Sequence, residues 1–357
     1  MSLEMSTLAG DDRPVYLTGN FNGWSVADER FRLEKVGEGH FVLRFPPGTS
    51  LPFPFEYKYT RGSWDSEELD GAGNAVNNRI VKHIHQAVRD YVPRWRIDGR
   101  SYKEELLPER VLLDEMFSIP QLRRHRKVQV LLPWDYHASH RRYPVLYLQD
   151  GQNLFDEHAP FGNWGIDRQM AFLAERGLGD VIIVTVDHAS HERILEYSPY
   201  THPRFGKGRG NQYVKFKAQT LKPRIDKAFR TLPSRTHTGI GGSSMGGFIS
   251  AYAGLKQSAT FGRMMIFSPS LWVSPKIFDD VIRYVRPGDS RWYLYAGGCE
   301  SREMVPSMRR LHDLLMHSGG QDPRFQVHLS TDPRGRHHEA RWGEEFPKAV
   351  EWLMAQG

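Results

Sequence analysis

The spacing of hydrophobic positions changes part-way along the chain. In the first part, short apolar runs at residues 14–18, 40–45 and 53–59 are separated by Gly, Asn and Pro. Close spacing of short strands between turn residues is typical of an all-β sandwich. We therefore predict an all-β, immunoglobulin-like sandwich domain over residues 13–88, followed by a charged linker over residues 89–107.

Beyond residue 107 the pattern alternates between strands and helices. Continuous apolar runs at residues 144–148 and 181–186 are typical of strands that are buried on both faces. Between such runs lie segments with helical spacing, at residues 164–175, 213–229, 245–255 and 305–317, and a closing helix at 343–355. This alternation predicts an α/β domain over residues 108–357 with a mostly parallel sheet covered by helices.

One serine in this domain lies in a motif that is typical of catalytic nucleophiles. Gly242, Ser244 and Gly246 form Gly-x-Ser-x-Gly between a predicted strand and a predicted helix. The small residues allow a sharp turn that exposes the serine hydroxyl, which is the nucleophile turn of α/β-hydrolases. We predict that fold, with Ser244 as nucleophile and the Met245 N–H as an oxyanion donor. Ser243 is one residue out of register and should point elsewhere.

A serine nucleophile needs a base, and in this fold the base comes last in the chain. Residues 335–342, between the last predicted strand and the last helix, contain His337 and His338. A helix that starts near Glu339 would leave His337 in the loop, free to reach the serine. The competing interpretation is a pair of solvated loop histidines.

The acid that orients the histidine should lie between the serine and the histidine in the chain. Glu300 follows a predicted strand in a glycine-bearing loop, while Asp332 lies in the same loop as the histidines. Strand-end position favours Glu300. Glu303 and Asp289 are weaker candidates, and we expect the neighbouring Cys299 to be a buried structural thiol.

Residues 109–355 resemble the esterase D-like family of α/β-hydrolases, which includes enterochelin, feruloyl and acetylxylan esterases. The resemblance is carried, in the expected order, by residues 118–122, 128–133, 143–155, 196–199, 242–247, 268–272 and 337–342. The histidine-rich loop at residues 187–191 departs from the family pattern, and so does His338.

The resemblance implies particular roles for three residues. The family's His-x-Glu-x-x-Trp spacing falls on His337 and so selects it over His338 as the base. The family's Gly-x-x-Asp/Glu pattern falls on Glu300 as the acid. The turn after residue 149 corresponds to the family's oxyanion loop, so the Gln152 N–H is implied as the second donor.

The N-terminal region resembles the β-sandwich modules that bind starch and glycogen. The similar residues lie in segments 19–24, 55–58 and 77–79, together with Trp64. In such modules tryptophans stack on a sugar ring while polar groups hold its hydroxyls. The residues that would do so are the two indoles and three polar side chains Trp24, Trp64, Lys58, Asn77 and Asn78. Two alternatives stay open, namely that the indoles are packing residues or that the domain shapes the active site.

The composition of the chain excludes several classes of partner and cofactor from our expectations. The 357 residues carry a net charge of +6, with basic residues scattered along the chain, so we expect no nucleic-acid partner. We see no secretory signal pattern and no apolar run of membrane-spanning length, so we expect no membrane partner. A single cysteine suits a cytoplasmic location. Histidines 188, 191 and 202 lack cysteine or carboxylate partners at ligand spacing, so we expect no metal and no cofactor.

The predicted function is serine-dependent hydrolysis of a carboxylic ester through an acyl-enzyme. The partner would be a small-molecule or acylated-glycan ester, with feruloyl-type and siderophore esters as further candidates. Two alternatives remain at this stage. One is an acyltransferase that uses the same acyl-enzyme, and the other is a glycan-binding protein with an inactive hydrolase domain.

Overall fold

The fold divides into two units, Met1–Glu104 and Glu105–Gly357, so that residues 89–104 of the predicted linker belong to the first unit. The computed structural model describes residues 2–355 except 8–10, 47, 72, 74, 156–158, 160–161, 286–287 and 321. Each unit has hydrophobic clusters of its own.

The first unit is built from short strands. In chain order they are β1 Ser2–Thr7, β2 Tyr16–Gly19, β3 Glu34–Gly37, β4 His40–Arg44, β5 Phe55–Thr60, β6 Glu68–Leu69, β7 Arg79–Val81, β8 Val88–Val92 and β9 Arg94–Trp95. They form sheets of order β3-β4-β1-β8, β2-β5-β7 and β6-β9. β1 precedes residue 13, where the sequence pattern begins the sandwich. Alternation along β5 buries Phe55, Tyr57 and Tyr59 and leaves Glu56 and Lys58 on the outer face.

The second unit contains one large sheet of order β10-β11-β13-β12-β16-β17-β18-β19. Its strands are β10 Glu109–Ile119, β11 Arg124–Leu132, β12 Val145–Leu148, β13 Ile182–Val186, β16 Thr238–Ser243, β17 Arg263–Phe267, β18 Ser290–Gly297 and β19 Phe325–Asp332. A separate hairpin pairs β14 Thr201–His202 with β15 Gly206–Lys207. β10, β11 and β13 pair antiparallel, and the pairs from β13 to β19 are parallel.

Helices cover both faces of this sheet. They are α1 Gln152–Phe155, α2 Ile166–Glu175, α3 Arg193–Tyr197, α4 Gly210–Phe216, α5 Lys222–Ala228, α6 Met245–Lys256, α7 Lys276–Ile282, α8 Met304–Gly319 and α9 Glu339–Met354. Along β12, Val145 and Tyr147 pack into one hydrophobic cluster, and Leu146 and Leu148 pack into the other on the opposite face. The prediction of a mostly parallel α/β sheet preceded by a β-rich region is confirmed.

The helix predicted over residues 213–229 is interrupted. A π-helical segment, Lys217–Leu221, separates α4 from α5. Lys217 is fully buried there, with its ammonium 3.5 Å from the carbonyl oxygen of Leu148 and 5.5 Å from the centre of the Tyr213 ring. Burial penalises the charged form and lowers the pKa of Lys217 to about 7.

This buried lysine makes stability depend on pH. An unfolded lysine keeps its proton up to about pH 10.4, whereas the folded protein releases it above a pKa of about 7. The unfolded state binds more protons across that window, so stability should rise with pH between those values. We expect Lys217→Met to stabilise the protein at pH 7 and to lose most of that advantage by pH 10, as measured by urea unfolding. The exposed Lys215→Met is the control, and an advantage of Lys217→Met that does not change with pH would contradict the assignment.

Candidate active site

Ser244 occupies the sharp turn between β16 and α6. Its φ of 55° and ψ of −123° lie in a region that non-glycine residues rarely adopt. The flanking glycines are required by close approach: a Cβ on Gly242 would lie 3.0 Å from the carbonyl carbon of Gly246, and one on Gly246 would lie 2.8 Å from Asp150 Oδ2. The strand-turn-helix context predicted for Ser244 is therefore present.

Three side chains form a continuous hydrogen-bonded chain at the carboxyl edge of the sheet. His337 Nε2 lies 3.1 Å from Ser244 Oγ, and His337 Nδ1 lies 2.7 Å from Glu300 Oε2. With the proton on Nδ1, the imidazole donates to Glu300 and accepts from the serine hydroxyl. The structure thus brings together the residues that the sequence analysis selected as nucleophile, base and acid.

Both carboxylate oxygens of Glu300 have hydrogen-bond partners. Its side chain is 1% exposed. Oε1 accepts hydrogen bonds from the Ser268 hydroxyl at 2.6 Å and from the Gly297 N–H at 2.8 Å, while Oε2 faces the imidazole. These donors fix the orientation of the carboxylate, so that Oε2 stays directed at the imidazole.

Ser268 connects the acid to the histidine by a second route. It has a φ of 43°, and its hydroxyl accepts from Trp342 Nε1 at 3.0 Å while it donates to Glu300. The Trp342 ring meets His337 edge to face, with ring centres 4.7 Å apart. Glu300, Ser268, Trp342 and His337 therefore close a ring of contacts that fixes the imidazole.

The rival candidates in the histidine loop have other partners. Burial would raise the pKa of Asp332, but hydrogen bonds from the Arg334 N–H and the Arg341 side chain outweigh it and hold that pKa below its ordinary value. His338 Nδ1 accepts from the Ala340 N–H at 3.1 Å and caps α9. Both residues shape the loop rather than reach Ser244.

Ser244 and His337 open into a cavity of about 690 Å³. One part of its wall is apolar, formed by Leu154, Trp164, Ile194 and Trp342. Another part is polar and includes His188, Ser190, His191, Arg193 and Glu339. Burial raises the pKa of the Glu339 carboxyl. The cavity can therefore accept a group with both an aromatic or aliphatic body and polar substituents.

The two predicted oxyanion donors are each the first residue of a helix. Met245 begins α6 and Gln152 begins α1. The backbone amides on either side of Gln152 are engaged, since Gly151 donates to the Val186 carbonyl oxygen and Asn153 donates to the Asp150 carbonyl oxygen. Among the described residues, the backbone amides of Met245 and Gln152 have no acceptor.

In the first unit, the two predicted tryptophans lie side by side. The ring centres of Trp24 and Trp64 are 6.3 Å apart, and Trp64 is 44% exposed while Trp24 is half-buried. Lys58 forms an ion pair with Glu67 at 2.8 Å. Asn77 and Asn78 are both exposed, and Asn78 donates to Glu56 Oε2 at 2.8 Å.

Two further expectations concern chemistry outside the triad. Cys299 is exposed, so the prediction of a buried thiol is wrong. The thiol donates to the Pro333 carbonyl oxygen at 3.5 Å. Within the part of the chain that the structure describes, no group of three or more His, Cys, Asp or Glu side chains could hold a metal ion. Across the same residues, no helix is long and apolar enough to span a membrane.

A protein-family model described as "Putative esterase" matches residues 119–353. The chain belongs to this esterase family. It is therefore an ester hydrolase, as predicted. The esterase is 26% identical to the uncharacterized protein YbbA of Bacillus subtilis over 246 residues, which are 65% of this chain and 94% of that protein.

Two other similarities extend the comparison. An enterochelin esterase from Shigella flexneri superposes with a TM-score of 0.55 at 13% identity, covering 99% of this chain and 91% of that one, which shows a shared fold. Together with the family match, this shared fold confirms the predicted α/β-hydrolase fold. An α-amylase of Niallia circulans is 37% identical over 87 residues, which are 23% of this chain and only 6% of the amylase.

Sequence reasoning missed four polar residues that support the site. They are Ser268, Ser270, Asp150 and Arg193. Ser270 Oγ lies 3.3 Å from Ser244 Oγ. Ser268 and Ser270 fall within a family-like segment and Asp150 within another, but only the fold shows which groups they meet. A positive φ at Ser268 and Asp150 is not visible in the sequence.

The Ser268 hydroxyl should be needed for full activity of the esterase. Ser268→Ala removes one donor from Glu300 and the acceptor of Trp342 Nε1. Because hydrogen bonds to charged groups contribute about 1.5–3 kcal/mol, we expect turnover of a soluble aryl ester to fall on the order of 10- to 100-fold. Ser274→Ala, which changes a buried serine six positions further along the chain, should leave turnover unchanged. Equal turnover in both variants would show that Ser268 is dispensable.

Proposed function

We propose that the esterase hydrolyses carboxylic esters through a Ser244–His337–Glu300 triad. The observation that carries the proposal is the pair of distances from His337, 3.1 Å to the nucleophile and 2.7 Å to the acid. A serine hydroxyl becomes nucleophilic when a positioned base removes its proton. Glu300 would hold the imidazole in the required tautomer and stabilise the imidazolium.

The reaction would proceed in two halves. Ser244 Oγ attacks the acyl carbon and its proton moves to His337 Nε2. The tetrahedral intermediate collapses as His337 returns the proton to the leaving alcohol. Water then attacks the acyl-enzyme with His337 again as base, and His337 returns the proton to Ser244 Oγ as the carboxylic acid leaves. In both halves the backbone N–H groups of Met245 and Gln152 would bind the oxyanion, a role that their lack of other acceptors supports.

The cavity supports esters with an aromatic or extended acyl group. Trp164 stacks on Phe267 with ring centres 5.4 Å apart and forms a rigid apolar wall together with Trp342. Hydroxyl substituents on the substrate would hydrogen-bond to the polar residues of the cavity wall. Feruloyl-type esters, acylated carbohydrates and catecholate siderophore esters all combine these properties, and we propose the substrate among them.

The triad can be tested by paired substitutions. Ser244→Ala and His337→Ala should each lower turnover by several orders of magnitude, because the residues act as a unit. Glu300→Gln should also lower it strongly. The matched variants Ser243→Ala, His338→Ala and Asp332→Asn change the neighbouring or rival residue and should cost far less. The measurement is kcat on an aryl ester for each purified variant.

Each pair of variants tests which residue acts as nucleophile, base or acid. Loss of turnover in His338→Ala with activity retained in His337→Ala would reassign the base. A mild effect of Glu300→Gln together with a severe effect of Asp332→Asn would reassign the acid.

A second function, glycan binding, is favoured by the first unit. We propose that Trp24 and Trp64 form a platform on which a sugar ring stacks, with Lys58, Asn77 and Asn78 as the polar groups that would contact its hydroxyls. Lys58 would do so beside its partner Glu67, and Asn78 beside its partner Glu56. The exposure of Trp64 and the closeness of the two rings support this role. The similarity to an α-amylase is consistent with it.

Glycan binding should depend on the exposed indole. Trp64→Ala should abolish retention of the protein on insoluble starch, glycogen or xylan while leaving hydrolysis of a small soluble ester unchanged. Trp134→Ala is the control, since Trp134 is 50% exposed in the second unit. A wild-type protein that is not retained on any of these polymers would contradict the proposal.

A further inference from the structure

The turn that follows β12 contains a residue in a rarely adopted conformation. Asp150 has a φ of 57°, in the left-handed region that is uncommon for non-glycine residues. Its side chain is only 6% exposed. Such a conformation persists when the surrounding structure over-determines it. Contacts from outside the turn must therefore hold Asp150.

Arg193, the first residue of α3, makes the strongest of these contacts. Its Nε donates to Asp150 Oδ1 and one terminal nitrogen donates to Oδ2, each at 2.7 Å. The arginine side chain is 22% exposed, and its guanidinium lies over the Tyr197 ring. A planar guanidinium that donates twice fixes the orientation as well as the position of a carboxylate, which a lysine ammonium does not.

The same segment also holds the two residues after Asp150. The Gly151 N–H donates to the Val186 carbonyl oxygen at 3.0 Å, and the His188 N–H donates to Gln152 Oε1 at 3.0 Å. The Asp150 carboxylate also lies close to α6, because a Cβ on Gly246 would lie only 2.8 Å from Asp150 Oδ2. Residues 186–193 therefore determine where this turn sits against α6.

We propose that Arg193 is a positioning residue of the esterase: its ion pair with Asp150 sets the turn that presents the Gln152 N–H to the oxyanion. The inference rests on the proposed function, because it takes Gln152 as an oxyanion donor. Arg193 acts through Asp150 and does not touch the reacting atoms. Arg193 also lines the cavity. The segment that supports the oxyanion turn is therefore also part of the wall that a substrate would contact.

The test compares two double variants. Asp150→Asn/Arg193→Met removes both charges together, so that neither is left buried without its partner. The control, Arg126→Met/Glu196→Gln, removes another sheltered ion pair, of 2.6 Å, which ties the same helix α3 to β11 without contacting the turn. Arg193→Lys keeps the charge and loses the two-point contact.

The readout separates transition-state binding from folding. In Asp150→Asn/Arg193→Met, kcat on a soluble aryl acetate, per site titrated with a fluorophosphonate, should fall about 100-fold with KM nearly unchanged. Affinity for an aryl trifluoromethyl ketone, whose adduct carries an oxyanion, should fall by the same factor as kcat/KM. Affinity for the corresponding amide should not change. Arg193→Lys should lie between this variant and wild type, and the control should keep wild-type kcat.

Two outcomes would overturn the inference. One is wild-type turnover per titrated site in Asp150→Asn/Arg193→Met. The other is an equal loss in both double variants, which would make the pair merely structural. Amide hydrogen exchange over residues 149–153 gives an independent readout and should accelerate only in the variant of Asp150 and Arg193. If exchange accelerates there but wild type hydrolyses no ester, the proposed function fails while the positioning of the turn stands.

Discussion

The hydrogen bond between His337 Nδ1 and Glu300 Oε2, at 2.7 Å, is the interaction on which the site depends. It joins the loop after β18 to the loop after β19, and through Nε2 it reaches the turn after β16. These strands are parallel, so their carboxyl ends meet at one edge of the sheet. The mostly parallel sheet is what brings residues 244, 300 and 337 together from distant parts of the chain.

Close packing at this edge restricts which residues the sequence can use. Gly242 and Gly246 have no room for a side chain, and a Cβ on Gly297 would lie 2.6 Å from Glu300 Oε1. Polar groups beneath the edge are paired: Ser268 with Glu300 and Trp342, and Asp150 with Arg193. In a low-dielectric setting such satisfied networks fix one geometry, because each alternative leaves a buried polar group unpaired.

Part of the site could be predicted from local sequence patterns alone. Gly-x-Ser-x-Gly between a strand and a helix identified Ser244, because its chemistry and its backbone requirement share one short segment. Choosing His337 over His338 required the family resemblance, and the structure supplies the physical reason: His338 caps α9. The Arg193–Asp150 and Ser268–Glu300 pairs join residues 43 and 32 positions apart, and such pairings leave no local signal. Cys299 was predicted buried from residue type alone, and its loop position decided otherwise.

The central claim is that Ser244 forms the covalent acyl-enzyme, and mass spectrometry of the fluorophosphonate-treated protein tests it most directly. The account predicts one adduct per chain, located by peptide mapping on Ser244 and formed much more slowly in His337→Ala. An adduct on Ser243 or Ser270, or no adduct in a folded protein that hydrolyses esters, would contradict it.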